Sequence, residues 1–508
     1  MIRVLTPQQM RAADTRACEA IGETALMRTA GKRIAEICAT CARGSRVAAL
    51  AGPGNNGGDA FAALAEMPVS SERVVFARTG GALSPARRDA ERRARETGVR
   101  VAQLPESPDG AREALRGFDL VLDGLFGTGA RLPLDDAFVP SIDAANEAGA
   151  TVVAIDIPSG IDALTGAVGA NAIRASVTIA LAALKPGLLL SPARDCVGEL
   201  WCADIGIDDS ILAAEHRTFA ALDAAEFLHL LPQRSYDADK RSAGAPLVVA
   251  GSAQFPGAAV LCARGAARSG AGYVTVATSA AAASALRAHL IEQVVVTIGD
   301  EGPPGAAADD LLAIARRASS VAIGPGLGLD DRTGTIVREF CRRLDLPFVA
   351  DASALFHFAK HLDILRGKRC VITPHAGEFA RLAGGTIPLP AERVERLRAF
   401  VERTGITTLL KGPTTLVYDG TTMHLNAPGT SALATAGTGD VLTGIIGTLL
   451  GQGLAPVDAA RAGAYWHALA GDRCAAQRRV GVVAGDLPET LAAALPESSA
   501  GGPLVRVR

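Results

Sequence analysis

The 508-residue sequence lacks the features of several protein classes. Its nine cysteines are an odd number scattered from Cys18 to Cys474, without the dense, regular spacing of a secreted disulfide scaffold. Fifty-one basic and fifty-three acidic residues give no overall attraction to nucleic acid or anionic lipid. The N-terminus is polar where a signal peptide is apolar, and Pro186 interrupts the apolar run near residues 175–190. We therefore expect a cytoplasmic protein that binds neither nucleic acid nor membrane.

Aromatic residues are also scarce, at 4%, whereas 55 glycines and abundant alanine are present. Such a chain builds its core from aliphatic strands and alanine-rich helices joined by glycine turns, as α/β proteins do. No fixed-period repeat is visible, which excludes solenoids and propellers. The one close cysteine pair, Cys38 and Cys41, lies in a helical pattern without a second pair to complete a zinc site.

The chain length suggests at least two domains, since about 150 residues is a usual domain size. Short aliphatic runs alternate with glycine-rich loops and amphipathic stretches, which is typical of βαβ units. The predicted strands of the first half are RVAALAG, FDLVLDG, TVVAID and SVTIALA. Those of the second half are APLVVAG, GYVTVAT, SSVAIGPG, LPFVADA, RCVITPH, TTLLKG and TTLVYDG. The pattern weakens between them, so we predict a domain junction near residues 215–235.

A glycine-rich segment, VAALAGPGNNGGDAFAALA, follows the first predicted strand. Successive glycines permit positive φ and expose backbone N–H groups, and we predict a helix that begins at Asp59. A phosphate or pyrophosphate is the ligand that suits such a turn. A purely structural turn is the alternative, which the two carboxamides and the carboxylate of GPGNNGGD disfavour.

Two further loops end predicted strands in the same way, one beginning at Asp123 and one at Asp156. In an open parallel sheet such strand ends converge on one crevice. Asn56, Asp123 and Ser159 offer one carboxylate with amide and hydroxyl oxygens, a set that suits potassium better than zinc. Capping of the following turns by Asp123 and Ser159 remains an alternative.

In the second half, Gly437-Thr438-Gly439-Asp440 opens a long apolar helix. Backbone N–H groups of this turn and the helix dipole form an anion hole suited to phosphoryl oxygens. A carboxylate beside such a hole can accept the proton of an alcohol during phosphoryl transfer. A simple helix cap is the alternative role for Asp440. His375, in PHAGE at a strand end, can hydrogen-bond a substrate, whereas we interpret His467 as a packing residue.

Several spaced motifs resemble one family, that of the NAD(P)H-hydrate repair proteins. GPGNNGGDAF, DGLFGTG, DIPSGIDALTG and LKPGLL resemble its epimerase domain. ATAGTGD resembles the anion-hole motif of the ribokinase-like superfamily, and AIGPGLG, VADASAL, VITPHAGEFARL, LLKGPTT and YWHALAGDRCA resemble the nucleotide-dependent dehydratase domain. The resemblance implies a Rossmann-like three-layer α/β/α epimerase domain over residues 1–214 and a ribokinase-like α/β dehydratase domain over residues 220–508.

The same resemblance implies metabolite repair of hydrated NADH and NADPH. The R and S hydrates are interconverted, and the S form is then dehydrated with ADP or ATP. The implied epimerase contacts to the hydrate are Asn55, Asn56, Gly57, Gly58, Asp59, Gly127, Thr128, Gly129, Ala130, Arg131, Leu132, Pro133 and Asp156. Potassium is implied at Asn56, Asp123 and Ser159, and either Asp123 or Asp156 is a candidate for proton transfer.

For the dehydratase domain the resemblance implies Asp440 as the catalytic base and magnesium on the nucleotide. The implied contacts to the hydrate are Ala258, Gly326, His375 and Asp440. The implied contacts to the nucleotide are Lys411, Gly412, Pro413, Thr414, Thr415, Gly437, Thr438 and Gly439. The expected partners are these small molecules, and a homo-oligomer is the expected assembly.

Three departures from the family pattern bear on metal and nucleotide affinity more than on fold. SYDADKRSAGAPLV stands where the family has a stretch of the HKYDRGHV kind, Ser353 replaces an aspartate of DADAL, and Ala376 replaces the proline of HPGE. Reduced dehydratase activity therefore stays open. Two other functions also stay open, a ribokinase-like kinase of a hydroxyalkyl heterocycle with a nucleotide-binding N-terminal domain, and a non-catalytic ligand-binding scaffold.

Overall fold

The computed structural model describes residues 2–41, 44, 46–68, 71–78, 83–215, 217–299, 302–478, 480–496 and 503–507. The chain divides into two compact units. The first unit contains residues 2–221 and the C-terminal strand, and the second unit begins at Leu222 and includes the described segment 480–496. No helix among the described residues is both long and apolar enough to cross a membrane.

Strands and helices alternate through most of the first unit. Its strands before residue 222 are β1 (Arg3–Val4), β2 (Arg46–Ala51), β3 (Glu72–Ala77), β4 (Arg100–Gln103), β5 (Leu120–Gly124), β6 (Thr151–Ile155), β7 (Val177–Leu181), β8 (Glu199–Ala203) and β9 (Phe219–Ala220). Its helices are α1 (Pro7–Ile21), α2 (Glu23–Cys41), α3 (Asn55–Glu66), α4 (Pro85–Glu96), α5 (Pro108–Leu115), α6 (Val139–Glu147), α7 (Pro186–Leu189), α8 (Arg194–Val197) and α9 (Asp209–Ala213).

The main sheet of this unit has the strand order β8-β7-β6-β5-β2-β3-β4, and all these strands are parallel. Residues of β2 alternate between two apolar layers because successive side chains of a strand point to opposite faces. Val47 and Ala49 pack with the layer of α1 to α4, and Ala48 and Leu50 pack with the layer of α5 and α6. The three-layer α/β/α prediction is therefore confirmed. The strand order reverses between β2 and β5, so the loops after these strands meet at one crevice.

The second unit repeats the alternation around a larger sheet. Its strands are β10 (Pro246–Val249), β11 (Thr275–Ser279), β12 (Val294–Ile298), β13 (Ser320–Ile323), β14 (Phe348–Ala350), β15 (Cys370–Ile372), β16 (Thr407–Leu410), β17 (Leu416–Tyr418) and β18 (Met423–Leu425). Its helices are α10 (Ala224–Leu230), α11 (Pro256–Arg268), α12 (Ala280–His289), α13 (Pro304–Ala315), α14 (Asp331–Arg343), α15 (Ser353–Phe358), α16 (Ala376–Ala383), α17 (Arg393–Thr404), α18 (Thr438–Gly451), α19 (Pro456–Gln477) and α20 (Asp486–Thr490).

Within this unit the strand order is β18-β17-β16-β15-β14-β13-β10-β11-β12. The strands from β16 to β12 are parallel, and β17 is antiparallel to both of its neighbours. The order reverses between β10 and β13, as it does between β2 and β5 in the first unit. Each unit is thus an open α/β sheet with one switch point, where ligands of such sheets bind.

Helix α3 begins at Asn55, so the predicted start at Asp59 is wrong. The glycines of GPGNNGGD serve close packing, and neither Gly57 nor Gly58 has a positive φ. A β-carbon on Gly57 would lie 2.2 Å from the carbonyl oxygen of Gly52, and one on Gly58 would lie 2.6 Å from a methyl carbon of Met27. These contacts let the first turn of α3 form directly against the end of β2.

The C-terminal strand β19 (Leu504–Arg506) belongs to the first unit, whereas the sequence prediction placed it in the 220–508 domain. It pairs antiparallel with β8 and adds one strand to the edge of the parallel sheet. The amide of Asp204 donates to the carbonyl of Pro503, and the side chain of Leu504 packs against the core of the first unit. The strand lies more than 280 residues beyond the rest of this unit. A prediction that divides the sequence into two consecutive domains therefore places it in the wrong one.

We expect a chain that ends at residue 502 to have a less stable first unit, because the core loses the packing of Leu504 and β8 loses a partner. The expected loss is about 1–2 kcal/mol in the free energy of unfolding. The two tryptophans report the units separately, since Trp201 lies in β8 and Trp466 in α19. Trp466→Phe leaves Trp201 as the only tryptophan, and Trp201→Phe leaves Trp466. In denaturant unfolding, truncation should lower the midpoint reported by Trp201 and leave the midpoint reported by Trp466 unchanged. Equal shifts for both tryptophans would contradict this assignment of β19.

Candidate active sites

A cavity of about 540 Å³ lies at the β2/β5 switch point of the first unit. The loops after β2, β5 and β6 contribute to it, as the sequence predicted, and α1 and α2 also line it. The predicted residues that line the cavity are Asn55, Asn56, Asp59, Gly127, Thr128, Gly129, Ala130, Arg131 and Asp156. The predicted residues outside its lining are Gly57, Gly58, Leu132, Pro133, Asp123 and Ser159.

Asp156 faces this cavity and forms an ion pair with the buried Lys185. Its Oδ1 also accepts a hydrogen bond of 3.1 Å from the amide of Leu181, and its backbone φ is +66°. That φ is uncommon for a residue other than glycine. The ammonium of Lys185 is held in turn by the carbonyl oxygen of Leu181 at 3.1 Å. Asp156 therefore has a fixed orientation and a cationic partner.

Asp123 is fully buried and lies outside the cavity lining, so it is not placed to exchange a proton with a ligand there. This position does not fit the proton-transfer role that the sequence suggested for Asp123. Its carboxylate accepts hydrogen bonds from the hydroxyl and the amide of Ser159, both 2.7 Å long, and from the amide of Leu125. Burial raises its pKa to about 6, although these hydrogen bonds oppose the increase. All of these partners are neutral, so a cation would offset the burial of this charge.

Asn56 and Ser159 lie around the same backbone as Asp123. The side-chain amide of Asn56 donates to the carbonyl of Phe126 at 2.8 Å, and the amide of Phe126 donates to the hydroxyl of Ser159. No group of three or more His, Cys, Asp or Glu side chains in the described ranges could hold a metal ion. Amide, hydroxyl and carbonyl oxygens with one carboxylate fit a large monovalent cation rather than zinc.

Two carboxyl groups of the cavity carry raised pKa values. Burial, with Asp156 and Asp14 nearby, raises the pKa of Asp59 well above its usual range, and Arg87 offsets this only in part. Burial raises the pKa of Asp14 to about 6, with Lys185 lowering it and Asp156 raising it. The sequence analysis missed Asp14 because a single acidic residue in the amphipathic α1 carries no motif signal.

In the second unit, the predicted anion turn begins helix α18 as expected. Gly437 has φ +92°, and a β-carbon there would lie 2.5 Å from the side chain of Leu261. The hydroxyl of Thr438 donates to the carbonyl of Leu433, and Nε2 of His467 lies 2.9 Å from the carbonyl of Thr438. Burial lowers the pKa of His467 to about 4, so the ring is neutral and Nε2–H donates. His467 therefore fixes the turn in addition to packing.

Asp440 lies on the first turn of α18 near two other carboxylates and one lysine. Burial raises its pKa to about 7, with Asp351 and Glu378 adding to the increase and Lys411 opposing it. Such a pKa suits a general base at neutral pH. The ammonium of Lys411 lies 2.7 Å from Asp351 and 4.0 Å from Glu378. Burial lowers the pKa of Lys411, but these acidic neighbours raise it overall, so the lysine stays charged.

Asp351 and Glu378 were not among the predicted site residues. Asp351 is buried after β14, where it accepts hydrogen bonds from Lys411 and, at 2.8 Å, from the hydroxyl of Thr443 on α18. A β-carbon on Gly439 would lie 3.3 Å from the ammonium nitrogen of Lys411. The lysine thus reaches the anion turn. VADASAL and PHAGE contain both acids, but only the fold brings them to Lys411.

Arg393 of α17 holds the loop that contains Lys411 to Thr415. Its buried guanidinium donates to the carbonyls of Thr414 at 3.0 Å, Leu410 at 3.2 Å and Lys411 at 3.0 Å. Burial lowers its pKa to about 10, so it stays protonated. A β-carbon on Gly412 would lie 2.4 Å from this guanidinium, which explains the glycine. Pro413 is exposed at the tip of the loop, and the sequence analysis did not find Arg393.

His375 caps helix α16. Its Nδ1 accepts hydrogen bonds from the amides of Gly377 and Glu378, and its side chain is 60% exposed. Nε2, on the other side of the ring, does not take part in this cap. Ala376 is the first helical residue, and the capping box forms without the usual proline. Ser353 donates to the carbonyl of Leu327, a hydrogen bond that a carboxylate cannot supply.

Gly326 and Ala258, both predicted to contact the hydrate, lie next to each other at the β10/β13 switch point. Gly326 has φ +65°, and a β-carbon on it would lie 2.9 Å from the side chain of Ala258. Glycine at residue 326 therefore allows the loop after β13 to pack closely against the start of α11.

Comparison with known proteins covers both units. A family model described as NAD(P)H-hydrate dehydratase matches residues 246–493, and one described as YjeF-related protein N-terminus matches residues 23–187. The bifunctional NAD(P)H-hydrate repair enzyme Nnr of Moorella thermoacetica is 37% identical over 487 residues, which cover 92% of this chain and 91% of the relative. The protein of the same name from Gloeobacter violaceus is 36% identical and covers 94% of each chain.

Among solved structures, an ADP/ATP-dependent NAD(P)H-hydrate dehydratase from Bacillus subtilis, co-crystallised with ATP and Mg²⁺, is 28% identical. The match covers 54% of this chain and 96% of the other, with a TM-score of 0.46.

We expect Arg393→Met to loosen the loop of residues 411–415, because three loop carbonyls lose a charged donor. Hydrogen exchange of this segment should accelerate at least tenfold, since charged hydrogen bonds contribute about 1.5–3 kcal/mol each. Arg398→Met is the matched control on the same helix, because the Arg398 side chain pairs with Glu395 at the surface. Unchanged exchange in Arg393→Met would refute a positioning role.

Proposed function

Because the chain belongs to the family of bifunctional NAD(P)H-hydrate repair enzymes, we propose how its two units divide the reaction. The first unit interconverts the R and S hydrates of NADH and NADPH, and the second dehydrates the S form with ADP or ATP. Two relatives that carry this name match over nine-tenths of the chain, which favours repair over the small-molecule kinase and scaffold alternatives. The observation that carries the dehydratase assignment is the carboxyl of Asp440, with a pKa of about 7, on the anion turn.

In the first unit, the hydrate occupies the cavity at the β2/β5 switch point. The start of α3 and the loop of residues 127–131 line it with backbone N–H groups and side-chain amides suited to the phosphates of the dinucleotide. Asp156, oriented by Lys185, contacts the hydrated ring. Leu132 and Pro133, which lie outside the lining, shape this loop rather than touch the ligand.

Asn56, Asp123 and Ser159 hold a potassium ion below this loop. The donor set fits, because one buried carboxylate has only neutral hydrogen-bond partners among the described residues. When bound, the ion supplies the countercharge of Asp123 and thereby steadies the backbone around Phe126. The side chains of Asn56 and Ser159 fix the same backbone through their own hydrogen bonds.

In the second unit, Asp440 accepts the proton of the C6 hydroxyl while this oxygen attacks the terminal phosphoryl group of the nucleotide. The N–H groups of Gly437 to Gly439 stabilise the transferring group. Phosphate is then a far better leaving group than hydroxide. The C6–O bond breaks with the help of the ring nitrogen, the departing phosphate accepts the proton that C5 loses, and the dihydropyridine ring of NAD(P)H forms again.

Lys411 and the loop up to Thr415 bind the nucleotide phosphates, and Ala258, Gly326 and the exposed edge of His375 contact the hydrate. The two negative charges of Asp351 and Glu378 exceed the single positive charge of Lys411. This excess suits a divalent ion that is carried mainly by the nucleotide. Mg²⁺, when bound with the nucleotide, neutralises phosphoryl oxygens. Asp351 keeps Lys411 directed at the anion turn.

We expect Asp440→Asn to lower the kcat for dehydration of the S hydrate at least a hundredfold, because the hydroxyl loses its proton acceptor. ATP–Mg²⁺ binding should change little. In the unmodified chain, kcat should rise as pH increases through about 7, where Asp440 ionises. The return of NADH absorbance measures the rate. The exposed Asp310 of α13 provides the control Asp310→Asn, and a similar loss in that variant would contradict the role of Asp440.

Potassium should stabilise the first unit more at pH 7.5 than at pH 5. Burial raises the folded pKa of Asp123 from its usual value to about 6, so the folded state binds more protons and loses stability as pH rises from about 4 to 6. Potassium binds the ionised carboxylate and offsets this loss, by about 1.4 kcal/mol at ten times its Kd. Unfolding reported by Trp201 in KCl and in equal NaCl measures the effect.

Asp123→Asn should remove this difference between the two salts. The same variant should slow repair of the R hydrate and spare the S hydrate. A potassium effect that survives in Asp123→Asn would place the ion elsewhere.

A further inference from the structure

Asp14 lies on helix α1 and lines the epimerase cavity. Helix α1 is fixed at its start by a capping box, in which the hydroxyl of Thr6 accepts from the amide of Gln9 and the Gln9 side chain accepts from the amide of Thr6. Ala13 and Ala17 of the same helix are fully buried in the core of the first unit. The position of Asp14 along the cavity wall is therefore set by the fold.

The carboxyl of Asp14 has no hydrogen bond or ion pair among the described residues, which distinguishes it from three of the other acids of the cavity region. Asp156 pairs with Lys185, Asp123 accepts from Ser159, and Glu23 accepts from the side-chain amide of Asn55 at 2.8 Å. A partly buried carboxyl that lines a cavity without a partner is available to a ligand.

Asp59 is the other carboxyl in the lining without such a partner. It is 8% exposed, and burial raises its pKa well above the usual range. Asp14 is the more exposed of the two, so its carboxyl is the easier one for a ligand to reach. The pKa of Asp14, about 6, permits both protonation states near neutral pH.

The charged and titratable groups around Asp14 come from several elements. They are Lys185 before α7, Asp156 after β6, Asp59 on α3, Glu23 on α2, and Arg11, Cys18 and Glu19 on α1. Lys185 is already paired with Asp156, so it lowers the pKa of Asp14 without forming an ion pair with it.

We propose that Asp14 is a catalytic residue of the epimerase unit and that it takes up and returns the proton of the C6 hydroxyl. This inference rests on the proposed epimerase activity. Asp14 removes the hydroxyl proton, the C6–N1 bond breaks as the C6 carbonyl forms, and Asp14 delivers the proton to N1. After rotation about the C5–C6 bond, N1 attacks the other face of the carbonyl, and the same proton returns to the oxygen. The electrons and atoms balance without an oxidant, a reductant or a second substrate.

The roles of the neighbouring groups follow from this step. Asp156, held by Lys185, keeps its orientation and contacts the ring without needing to change charge. One proton-exchanging group is sufficient, because the hydroxyl proton moves from oxygen to nitrogen and back.

The experiment uses the full chain, one pure epimer of hydrated NADH and chromatographic separation of the R and S forms. KCl is kept saturating, so that Asp123 stays ionised and does not contribute a pH effect. Asp14→Asn should lower kcat for epimerisation about a hundredfold or more and leave KM within threefold. The kcat of the unmodified chain should decrease as the pH is lowered through about 6, and Asp14→Asn should lack this acidic limb of the pH profile. Asp14→Glu should restore part of the rate and the limb.

Three further measurements separate the outcomes. Glu19→Gln, on the exposed side of the same helix, should keep the unmodified rate. Asp59→Asn should raise KM and retain the limb below pH 6. Unfolding of the first unit reported by Trp201 should be unchanged in Asp14→Asn, which excludes loss of folding as the cause.

If the unmodified chain does not interconvert the epimers, the proposed function itself fails. If the unmodified chain does so and Asp14→Asn has the same kcat and pH profile, only the role of Asp14 is overturned. Loss of the limb in Asp156→Asn, with its retention in Asp14→Asn, would assign the proton exchange to Asp156 instead.

Discussion

Parallel strand pairing is the constraint on which both sites depend. All strands of a parallel sheet end at the same edge, and the loops that follow separate only where the strand order reverses. In the first unit this point lies between β2 and β5, and in the second between β10 and β13. The backbone of each crevice is brought close by small residues, such as Gly57 against Gly52 and Gly326 against Ala258. The chemistry of the two crevices differs because different side chains follow the same strand ends.

Close helix packing carries this constraint to the anion turn. A β-carbon on Gly444 of α18 would lie 2.0 Å from the carbonyl oxygen of Cys262 on α11, and one on Gly265 would lie 2.5 Å from the carbonyl oxygen of Val441. The two helices therefore touch through their backbones. Because α18 cannot shift against α11, the N–H groups at its start keep their position, and His467 holds the same turn from α19.

The sequence predicts the central strands of both sheets well, because a strand buried on both faces is a continuous aliphatic run. Each predicted run coincides with a strand of the structure. Besides the two-residue strands β1 and β9, the sequence analysis missed β3, β4, β8, β12 and β18, all of which except β3 end the strand orders of the two main sheets. Strands at a sheet end are less buried, as β4 and β12 are, so burial gives a weaker signal there. The late strand β19 was missed for another reason, since its pairing with β8 joins residues more than 300 positions apart.

The motifs predict the loops of both sites but not the side chains that come from elsewhere. GPGNNGGD and GTGD are local, because each forms one turn and the start of one helix. Asp14, Asp351 and Arg393 act across the fold from α1, from the end of β14 and from α17. Nothing in the segments of Asp14 and Arg393 distinguishes them from surface or capping residues, and VADASAL contains Asp351 without indicating its contact with Lys411. Asp123 differs from these residues, since its place at a strand end suggested proton transfer, whereas burial separates its carboxylate from the cavity.

The two sites use the same electrostatic arrangement despite their different reactions. Lys185 lies near Asp14 and Asp156 in one, and Lys411 lies near Asp351, Glu378 and Asp440 in the other. In each site the lysine forms an ion pair with one carboxylate, Lys185 with Asp156 and Lys411 with Asp351. Burial, together with nearby charges of the same sign, raises the pKa values of Asp14, Asp59 and Asp440. A lysine that is already paired thus keeps a second carboxyl free to exchange its proton, which is the property that both reactions require of a base.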